Sequence, residues 1–588
     1  MNPKTPDPNM NMERRLLLAF ALMGVVLMVS TYLMPKPAEP KAGPSKTAET
    51  AKQESRTDTK AEAKSEAAKK AAESARPPAE KAAENPSETP KQGRIVASRE
   101  DTVVVETDLY RVVFSNRGAV IRSWILRKYQ DRQGQPLELV SQKGLEKVRP
   151  PFSVRFHEGQ SADAVNTGLW VPEISAGGLT VSFSYANGPW SGKKTFAFRK
   201  DSYLTSVESE IRNSGSAKPH LLYWRGGFGD ASVIGAAASQ LTVRFDRNEQ
   251  KLITLNADAA RKAEGGYQAH RGPFTFAGIT DAYFAAVALP ESATDFEIHS
   301  LSDQVPNEID AKEEPNAGMA VGGHGTNKFE MFVGPKDTNL LRSIDPRLEN
   351  LIDFGRLKII AKPLFLAMHY LNDNYLHNYG WTIVIITIVI NFLLLPLKFT
   401  SLKSMKKMSA LQPEIAAIND KYKGMSYKDP RKQNQQAEVM DLYKKHGVNP
   451  VGGCVPMVIQ IPFFIAFYTV LSVAIELRGA HWLWVTDLSR PEDLAIRVLP
   501  VIMVASQFLM QKMTPTTTAD PSQQRIMYMM PLFMGFMFYG VSSGLVLYWM
   551  TSNLVGIAQQ WFFNHTGAAA QVPAAAGAKA VQKKDKKR

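Results

Sequence analysis

Long apolar stretches mark the second half of the chain as a bundle of membrane helices. Five stretches between Trp381 and Phe563 are long enough to enter a bilayer, and they lie at about 381–397, 455–474, 495–510, 526–541 and 545–563. We therefore predict a five-helix core at 379–563.

A further apolar stretch lies near the N-terminus, at 16–34. It follows two arginines, is about 19 residues long and lacks a cleavage site of small residues at its end. We predict an uncleaved anchor helix here, preceded by a cytoplasmic segment at 1–15. A cleaved signal peptide is the alternative, although its apolar core is normally shorter.

Short β-type runs occupy the middle of the chain. Examples are Val103–Val105, Arg111–Phe114, Leu179–Tyr185, Thr195–Phe198 and Phe274–Phe276. Gly, Asn and Pro residues punctuate them, as is typical of a β-sandwich. We predict an all-β domain at 95–340.

Two segments connect this domain to the apolar stretches. Residues 35–94 are rich in Ala, Lys, Glu and Pro and contain no aromatic residue, which predicts a disordered linker. Residues 341–378 alternate apolar residues with Arg and Lys, which predicts an amphipathic helix in the membrane interface, interrupted or bent at Pro363. An ordinary helix that packs domains together is the alternative.

The charges of the loops predict the orientation of the chain. Residues 398–447 contain eleven Lys and Arg against five Asp and Glu, whereas residues 475–494 contain two against four. The net charge of +14 also favours membrane topology over nucleic-acid binding, because lysines collect beside the apolar stretches. We predict a cytoplasmic helical hairpin at 399–447, a basic cytoplasmic tail at 564–588, and a β domain on the opposite side of the membrane.

A lone amide, Asn391, lies inside the first core stretch. It is seven residues from Lys398, or roughly 10 Å along a helix. An unsatisfied amide at this depth costs several kcal/mol in hydrocarbon. The helix should therefore turn Asn391, and Thr387 on the same face, toward protein or a wet cavity.

Other core stretches also carry polar residues at comparable depth. They are Gln460, Ser506, Gln507, Ser552 and Asn553. Such a set predicts a shared hydrophilic cavity that opens toward the cytoplasm. Hydrogen bonds that only hold a bundle together are the alternative.

The sequence contains no recognisable catalytic or metal-binding arrangement. The histidines of the β domain lack metal-ligand spacing, the single cysteine is Cys454, and no phosphate-binding loop occurs. We predict a protein that is not an enzyme and has no metal or cofactor. Two alternatives remain from the residues alone: a small-solute transporter, and a membrane-anchored module that binds or converts sugars.

Five motifs narrow these possibilities. They are Tyr379-Gly380-Trp381-Thr382, Val448-Asn449-Pro450-Val451-Gly452-Gly453-Cys454-Val455-Pro456, Gln460-Ile461-Pro462, Gln511-Lys512-Met513-Thr514-Pro515 and Ser543-Gly544-Leu545-Val546-Leu547-Tyr548-Trp549. Together they resemble the YidC/Oxa family of membrane protein insertases, in its Gram-negative form with an additional first span and a large periplasmic domain.

This resemblance implies a multi-domain inner-membrane protein with both termini in the cytoplasm. Its expected fold is an α-helical bundle, made of the anchor helix and the five-helix insertase core, with an all-β periplasmic supersandwich similar to sugar mutarotases. A hydrophilic groove would receive nascent hydrophobic segments and release them into the bilayer without ATP hydrolysis, alone or with the SecYEG translocon. The ribosome and the lipid bilayer are further implied partners, and no small-molecule substrate is expected.

The predicted functional residues form two sets. The groove set is Thr387, Asn391, Gln460, Gln507, Tyr548, Trp549, Ser552 and Asn553, of which Thr387 and Trp549 match positions that line the family's substrate path. The set at the groove mouth and on the hairpin is Lys398, Lys403, Lys406 and Lys407. The last three lysines share a helix face that can attract phosphate head groups or ribosomal RNA, or can serve only as solvated determinants of topology.

One position departs from the family. Alignment on the motifs places Asn391 where the family usually has an arginine. A neutral amide can form hydrogen bonds with a peptide but cannot pair with a carboxylate. Because Lys398 lies seven residues further on the same face, we hypothesise that it supplies the missing charge.

Overall fold

The computed structural model describes residues 93–157, 161–233, 236–263, 266–291, 296–309, 311–423, 425, 430–449, 455–515 and 521–566. The predicted anchor helix, nearly all of the linker and nearly all of the basic tail lie outside these residues.

The first part of the described chain is a domain of antiparallel strands. In chain order they are β1 (Thr102–Glu106), β2 (Tyr110–Ser115), β3 (Val120–Gln130), β4 (Pro136–Glu138), β5 (Val154–Phe156), β6 (Val171–Ile174), β7 (Thr180–Asn187), β8 (Trp190–Phe198), β9 (Leu204–Asn213), β10 (Ser216–Ala217), β11 (His220–Trp224), β12 (Leu241–Asp246), β13 (Lys251–Asn256), β14 (Tyr267–Gly272), β15 (Phe274–Thr280), β16 (Phe284–Pro290), β17 (Phe296–Pro306), β18 (Glu313–His324) and β19 (Thr326–Pro335). Four short helices interrupt them: α1 (Gln142–Lys147), α2 (Asp163–Thr167), α3 (Ala236–Ser239) and α4 (Ala257–Arg261).

These strands form three sheets. A four-stranded sheet has the order β1-β2-β3-β4, and a five-stranded sheet has the order β14-β17-β18-β11-β5. A ten-stranded sheet runs β13-β12-β15-β16-β19-β9-β8-β7-β6, with β10 beside β9. The β-type runs predicted from the sequence lie in β1, β2, β7, β8 and β15, so the all-β prediction is confirmed.

Aromatic side chains fill the space between the sheets. The rings of Phe114 and Phe196 have centroids 4.9 Å apart, and those of Trp124 and Trp224 are 6.2 Å apart. All four side chains are buried. Contacts of this kind join the four-stranded sheet to both larger sheets in one hydrophobic core.

A lysine occupies one inward position of β8. Lys194 is fully buried, on the same face of the strand as Phe196. Its Nζ atom donates hydrogen bonds to the carbonyl oxygens of Gly118 at 2.8 Å, Ala119 at 3.2 Å and Phe152 at 2.8 Å. The three carbonyls replace the hydration shell of the ammonium, which allows the charge to be buried. The bonds to Gly118 and Ala119 also tie β8 to the turn between β2 and β3.

Buried His220 makes the stability of the β domain depend on pH. Its Nε2 atom lies 2.8 Å from the hydroxyl of Ser209, and its Nδ1 atom lies 2.9 Å from the carbonyl oxygen of Lys218. Burial, together with the nearby charge of Lys194, lowers the pKa of His220 to about 4. Between pH 6.5 and 4 the unfolded chain therefore binds a proton that the folded chain does not.

We expect the free energy of unfolding to fall by about 3 kcal/mol as the pH decreases through this window. The measurement is chemical unfolding of the purified protein in detergent, followed by tryptophan fluorescence at several pH values. His220→Gln should flatten the dependence between pH 6.5 and 4.5, whereas His481→Gln, at an exposed position, should preserve it. A steep dependence that persists in His220→Gln would refute the assignment.

A helical segment joins the β domain to the core. It consists of α5 (Thr338–Ile344), a 3-10 turn (Pro346–Leu351), α6 (Lys358–Leu371) and a π turn (Asn372–Leu376). The amphipathic segment predicted as one helix is therefore divided, and Pro363 lies inside α6 without ending it. On α6 the side chains of Ile359 and Tyr370 are 84% and 58% exposed, which leaves an apolar stripe uncovered by protein.

The core follows as eight helices in the described residues. They are α7 (Tyr379–Leu393), α8 (Leu395–Ala410), α9 (Gln412–Lys421), α10 (Pro430–Lys445), α11 (Val455–Val473), α12 (Val498–Met513), α13 (Pro521–Phe538) and α14 (Ser543–His565). The five predicted apolar stretches correspond to α7, α11, α12, α13 and α14. The first stretch was predicted to reach residue 397, but α7 ends at Leu393. A new helix, α8, begins at Leu395, with Pro396 in its first turn.

Helices α9 and α10 form the predicted hairpin. Leu411, Ile415 and Tyr443 are buried in a small cluster between the helices. The hydroxyl of Tyr422 donates to Glu438 at 2.7 Å across the pair. The hairpin therefore has its own core, separate from that of the bundle.

Within the part of the chain that the structure describes, no single helix is both long and apolar enough to cross a membrane alone. The segments Lys358–Leu376 and Tyr379–Leu393 satisfy the criterion as a pair and meet at a bend of 120°.

Candidate functional site

Polar side chains from four helices meet inside the bundle. We call Asn391, Lys398, Gln460, Ser552 and Gln559 the polar cluster. They come from α7, α8, α11 and α14, and Asn391, Ser552 and Gln559 are buried. Polar side chains that gather inside an apolar bundle can accommodate a polar group, so the cluster is a candidate site.

Asn391 is the centre of this cluster. Its Nδ2 atom donates to the carbonyl oxygen of Thr387 at 2.8 Å and to the hydroxyl of Ser552 at 3.3 Å. The carbonyl oxygen of Asn391 accepts a hydrogen bond from Gln559 at 3.2 Å. The hydroxyl of Ser552 in turn accepts a bond from Gln460 at 3.3 Å. The expectation that α7 turns Asn391 and Thr387 inward is met.

Lys398 supplies the charge of the cluster. The ammonium Nζ donates to the side-chain oxygen of Asn391 at 2.6 Å and to that of Gln559 at 3.4 Å. The spacing of seven residues brings Lys398 back to the face of Asn391, although α7 ends between them. Both acceptors are neutral amides, so the positive charge is solvated but not neutralised within the cluster.

A second group of predicted residues lies beside the cluster. The indole Nε1 of Trp549 donates to Gln507 at 3.4 Å, and Asn553 donates to the hydroxyl of Ser506 at 3.1 Å. The ring of Tyr548 stacks on that of Phe467 with centroids 4.3 Å apart. The two hydrogen bonds connect α12 to α14, and the stacked rings connect α11 to α14.

The three lysines predicted for the hairpin lie instead on α8, which precedes the hairpin formed by α9 and α10, and they lie apart from these groups. Lys403, Lys406 and Lys407 follow Lys398 along α8, and the ammonium of Lys406 lies 6.0 Å from the centroid of the Phe563 ring. They remain candidates for contacts outside the bundle. The functional roles of both predicted sets stay predictions.

Gln559 is the member of the cluster that the sequence analysis missed. It lies seven residues after Ser552, which is two turns of α14 and therefore the same face. Extending the polar face of this helix by two turns would have found it.

One end of the bundle is closed by the segment between α11 and α12, residues 474–497, which we call the cap. Trp482 of the cap lies against α7 at Gly380, where an added Cβ atom would be 2.2 Å from the indole ring. The carbonyl of Leu488 accepts from the amide of Gly544 at 2.9 Å, at the start of α14. Because Gly380 and Gly544 begin their helices, the cap covers the end opposite to Lys398.

The carboxylate of Glu492 fixes the cap to α12. One oxygen accepts a hydrogen bond from the backbone amide of Leu499 at 2.9 Å, and the other accepts from the indole of Trp484 at 2.5 Å. The amide of Leu499 lies in the first turn of α12, where backbone donors lack partners within the helix. The cap is therefore bonded to the same end of α7, α12 and α14.

Some histidines of the β domain come together although they are distant in sequence. The Nε2 atoms of His157 and His299 lie 3.0 and 2.5 Å from the two carboxylate oxygens of Glu297. Hydrogen bonding from His299 lowers the pKa of Glu297 to about 2. Within the described ranges, no group of three or more His, Cys, Asp or Glu side chains is placed to hold a metal ion.

Comparisons with known proteins decide the family. A family model described as "60Kd inner membrane protein" matches residues 371–570, and one described as "YidC periplasmic domain" matches residues 102–367. A membrane protein insertase YidC from Cupriavidus necator is 34% identical over 478 residues, covering 79% of this chain and 83% of that protein. The chain belongs to the YidC family of membrane protein insertases. The YidC of Geotalea daltonii is 32% identical over 601 residues and covers 94% of this chain and 99% of its own length.

Solved structures of this family and of others also match. A crystal structure of an active YidC insertase with its first transmembrane domain resolved is 20% identical and covers 80% of this chain and 94% of its own, with a TM-score of 0.35. A galactose mutarotase related enzyme from Lactobacillus acidophilus is 12% identical and covers 40% of this chain and 97% of its own, with a TM-score of 0.28.

YidC membership, shown by the family models and the relatives, confirms the predicted family, the fold class and the insertase function. Nothing in the comparisons supports the small-solute transporter alternative. The relatives reported above are named as membrane protein insertases.

Proposed function

We propose that the polar cluster lines the groove in which this insertase receives the polar outer part of a client protein. The single observation that carries the proposal is the ammonium of Lys398, held inside the bundle by two neutral amide oxygens. A positive charge without a carboxylate partner in its cluster can attract an acidic residue of a client. Lys398 thus takes the part that the family usually gives to an arginine at the position of Asn391.

The cap gives the groove a direction. Because the cap covers the starts of α7 and α14 while Lys398 lies beyond the end of α7, we place the mouth of the groove at the end opposite to the cap. A client entering from that end would place its polar tail against Asn391 and Lys398. Its apolar segment would then leave sideways into lipid, and this transfer supplies the driving force without an enzymatic step.

The same geometry supports the predicted topology. The β domain contacts the cap, so both lie on one side of the bundle. Helix α8 follows the opposite end of α7 and leads to the hairpin, and the lysines of this basic segment favour the cytoplasm. We propose a multi-pass inner-membrane protein with a periplasmic β domain, a cytoplasmic hairpin and cytoplasmic termini.

The proposed partners follow from the same arrangement. Nascent membrane proteins would reach the groove from the ribosome, and the face of Lys403, Lys406 and Lys407 offers positive charge for ribosomal RNA or lipid phosphates. Cooperation with SecYEG is proposed on the family resemblance alone. No cofactor and no small-molecule substrate enter this mechanism.

Reconstitution into liposomes tests the function. The purified protein should protect a single-span client with an acidic translocated tail from added protease, without ATP. Empty liposomes and liposomes with a known YidC serve as controls. Failure of this chain under conditions in which the known YidC inserts the client would contradict the proposal.

A further inference from the structure

An arginine of the cap is buried against the β domain. Arg478 donates to a carboxylate oxygen of Asp230 at 2.5 Å, and these two side chains are only 5% and 4% exposed. The same guanidinium donates to the carbonyl oxygen of Gln130 at the end of β3. Its central carbon lies 5.8 and 5.6 Å from the ring centroids of Tyr283 and Phe284, so aromatic faces cover the charge.

A second arginine of the cap reaches the same strand end. Arg490 donates to the carbonyl oxygens of Asp131 at 3.3 Å and Gln130 at 3.5 Å. The backbone of Arg490 meanwhile accepts hydrogen bonds from the amide and the hydroxyl of Ser543, both at 2.7 Å. A single residue therefore joins the turn between β3 and β4 to the start of α14.

These contacts differ in kind from the exposed ion pairs of the β domain. The pair of Arg261 and Asp258, for example, has side chains that are 56% and 54% exposed. An exposed pair contributes little because water and salt screen it. Removing one partner of a buried pair is strongly destabilising because it leaves an uncompensated charge. The buried Arg478–Asp230 pair therefore holds the cap and the β domain together only while the cap and the domain stay closely packed.

We propose that Arg478 and Arg490 are positioning residues that brace the cap against the β domain and thereby hold the periplasmic end of the groove closed. The inference rests on the proposed function, because it assumes that the polar cluster lines a groove open at the other end. The cap covers α7 and α14, and the β domain in turn fixes the cap at the end of β3. Loss of the brace would raise the fraction of molecules in which the cap is open.

Cysteine accessibility tests this brace. Cys454 is the only cysteine of the chain, so a Cys454→Ser, Gln507→Cys variant carries a single thiol in the proposed groove. Membrane vesicles of each orientation are treated with a membrane-impermeant maleimide. The thiol should react from the cytoplasmic side and remain protected from the periplasmic side.

Adding Arg478→Gln should raise the labelling rate from the periplasmic side by about ten-fold or more. Asp230→Asn should act in the same direction from the β domain, and it carries the test if Arg478→Gln does not accumulate in the membrane. Arg261→Gln, which removes the exposed pair, is the matched control and should leave labelling unchanged.

The outcomes separate the brace from the proposed function. Equal labelling from both sides before the brace is altered would contradict the one-sided groove itself. One-sided labelling that persists in both Arg478→Gln and Asp230→Asn would overturn the brace and leave the groove intact. Increased periplasmic labelling in the two variants but not in the control would support it.

Discussion

Replacing Lys398 with Gln is expected to lower the insertion of clients with an acidic translocated tail by about ten- to a hundred-fold. Lys398 is the only charged side chain of the polar cluster, and a hydrogen bond to a charged group contributes about 1.5–3 kcal/mol. Gln retains hydrogen bonding to Asn391 but cannot pair with a carboxylate. Insertion of the same client with a neutral tail should change by less than about three-fold, because it does not use the charge.

The measurement is protease-protected insertion into liposomes at matched amounts of folded protein. Lys403→Gln is the control, since it removes a lysine of the same helix outside the cluster, and Lys398→Arg should restore insertion of the acidic client. Equal insertion of acidic and neutral clients by Lys398→Gln would show that Lys398 does not replace the family's arginine.

The second large effect concerns Asn391→Arg, which restores the residue usual in the family. In this chain the new guanidinium would lie beside the ammonium of Lys398, which is now 2.6 Å from the Asn391 side chain. Two like charges at this distance repel one another, so we expect Asn391→Arg alone to lose about ten-fold in insertion. Adding Lys398→Gln should bring insertion of the acidic client back to within about three-fold of the unmodified protein.

The four proteins of this cycle are compared in the same liposome assay. Their thermal unfolding in detergent is recorded as well, because Asn391→Arg alone should also be less stable than the double variant. Additive losses in the double variant would contradict the idea that one cation, at either position, serves the groove.

Much of the site could be predicted because helical periodicity is local. Asn391 and Lys398 are seven residues apart, and this spacing alone places them on one face. The hydrogen bond between their side chains agrees with the hypothesis based on spacing. Gln559 required the same reasoning on α14, two turns beyond Ser552, and was missed because it lies close to the polar end of that helix.

Contacts between distant segments could not be predicted in this way. Arg478 and Asp230 belong to different domains, and nothing in either local pattern indicates a partner. The pairing of His157 and His299 with Glu297 likewise depends on the order of the strands in the sheet. The alternation of apolar and polar residues along each strand does not determine that order. Lys194 interrupts an otherwise apolar inward face, and only the three carbonyls around it explain its burial.

The most direct test of the groove is site-specific photo-crosslinking to a ribosome-bound client. A photoreactive residue is placed at Gln460, in the polar cluster, or at Gln507, beside it. For comparison it is placed at Phe536, whose side chain is 85% exposed on the outside of α13. We predict that a short nascent chain crosslinks at Gln460 and Gln507 before it crosslinks at Phe536. Crosslinking that begins at Phe536, with none at the two groove positions while insertion proceeds, would contradict the account.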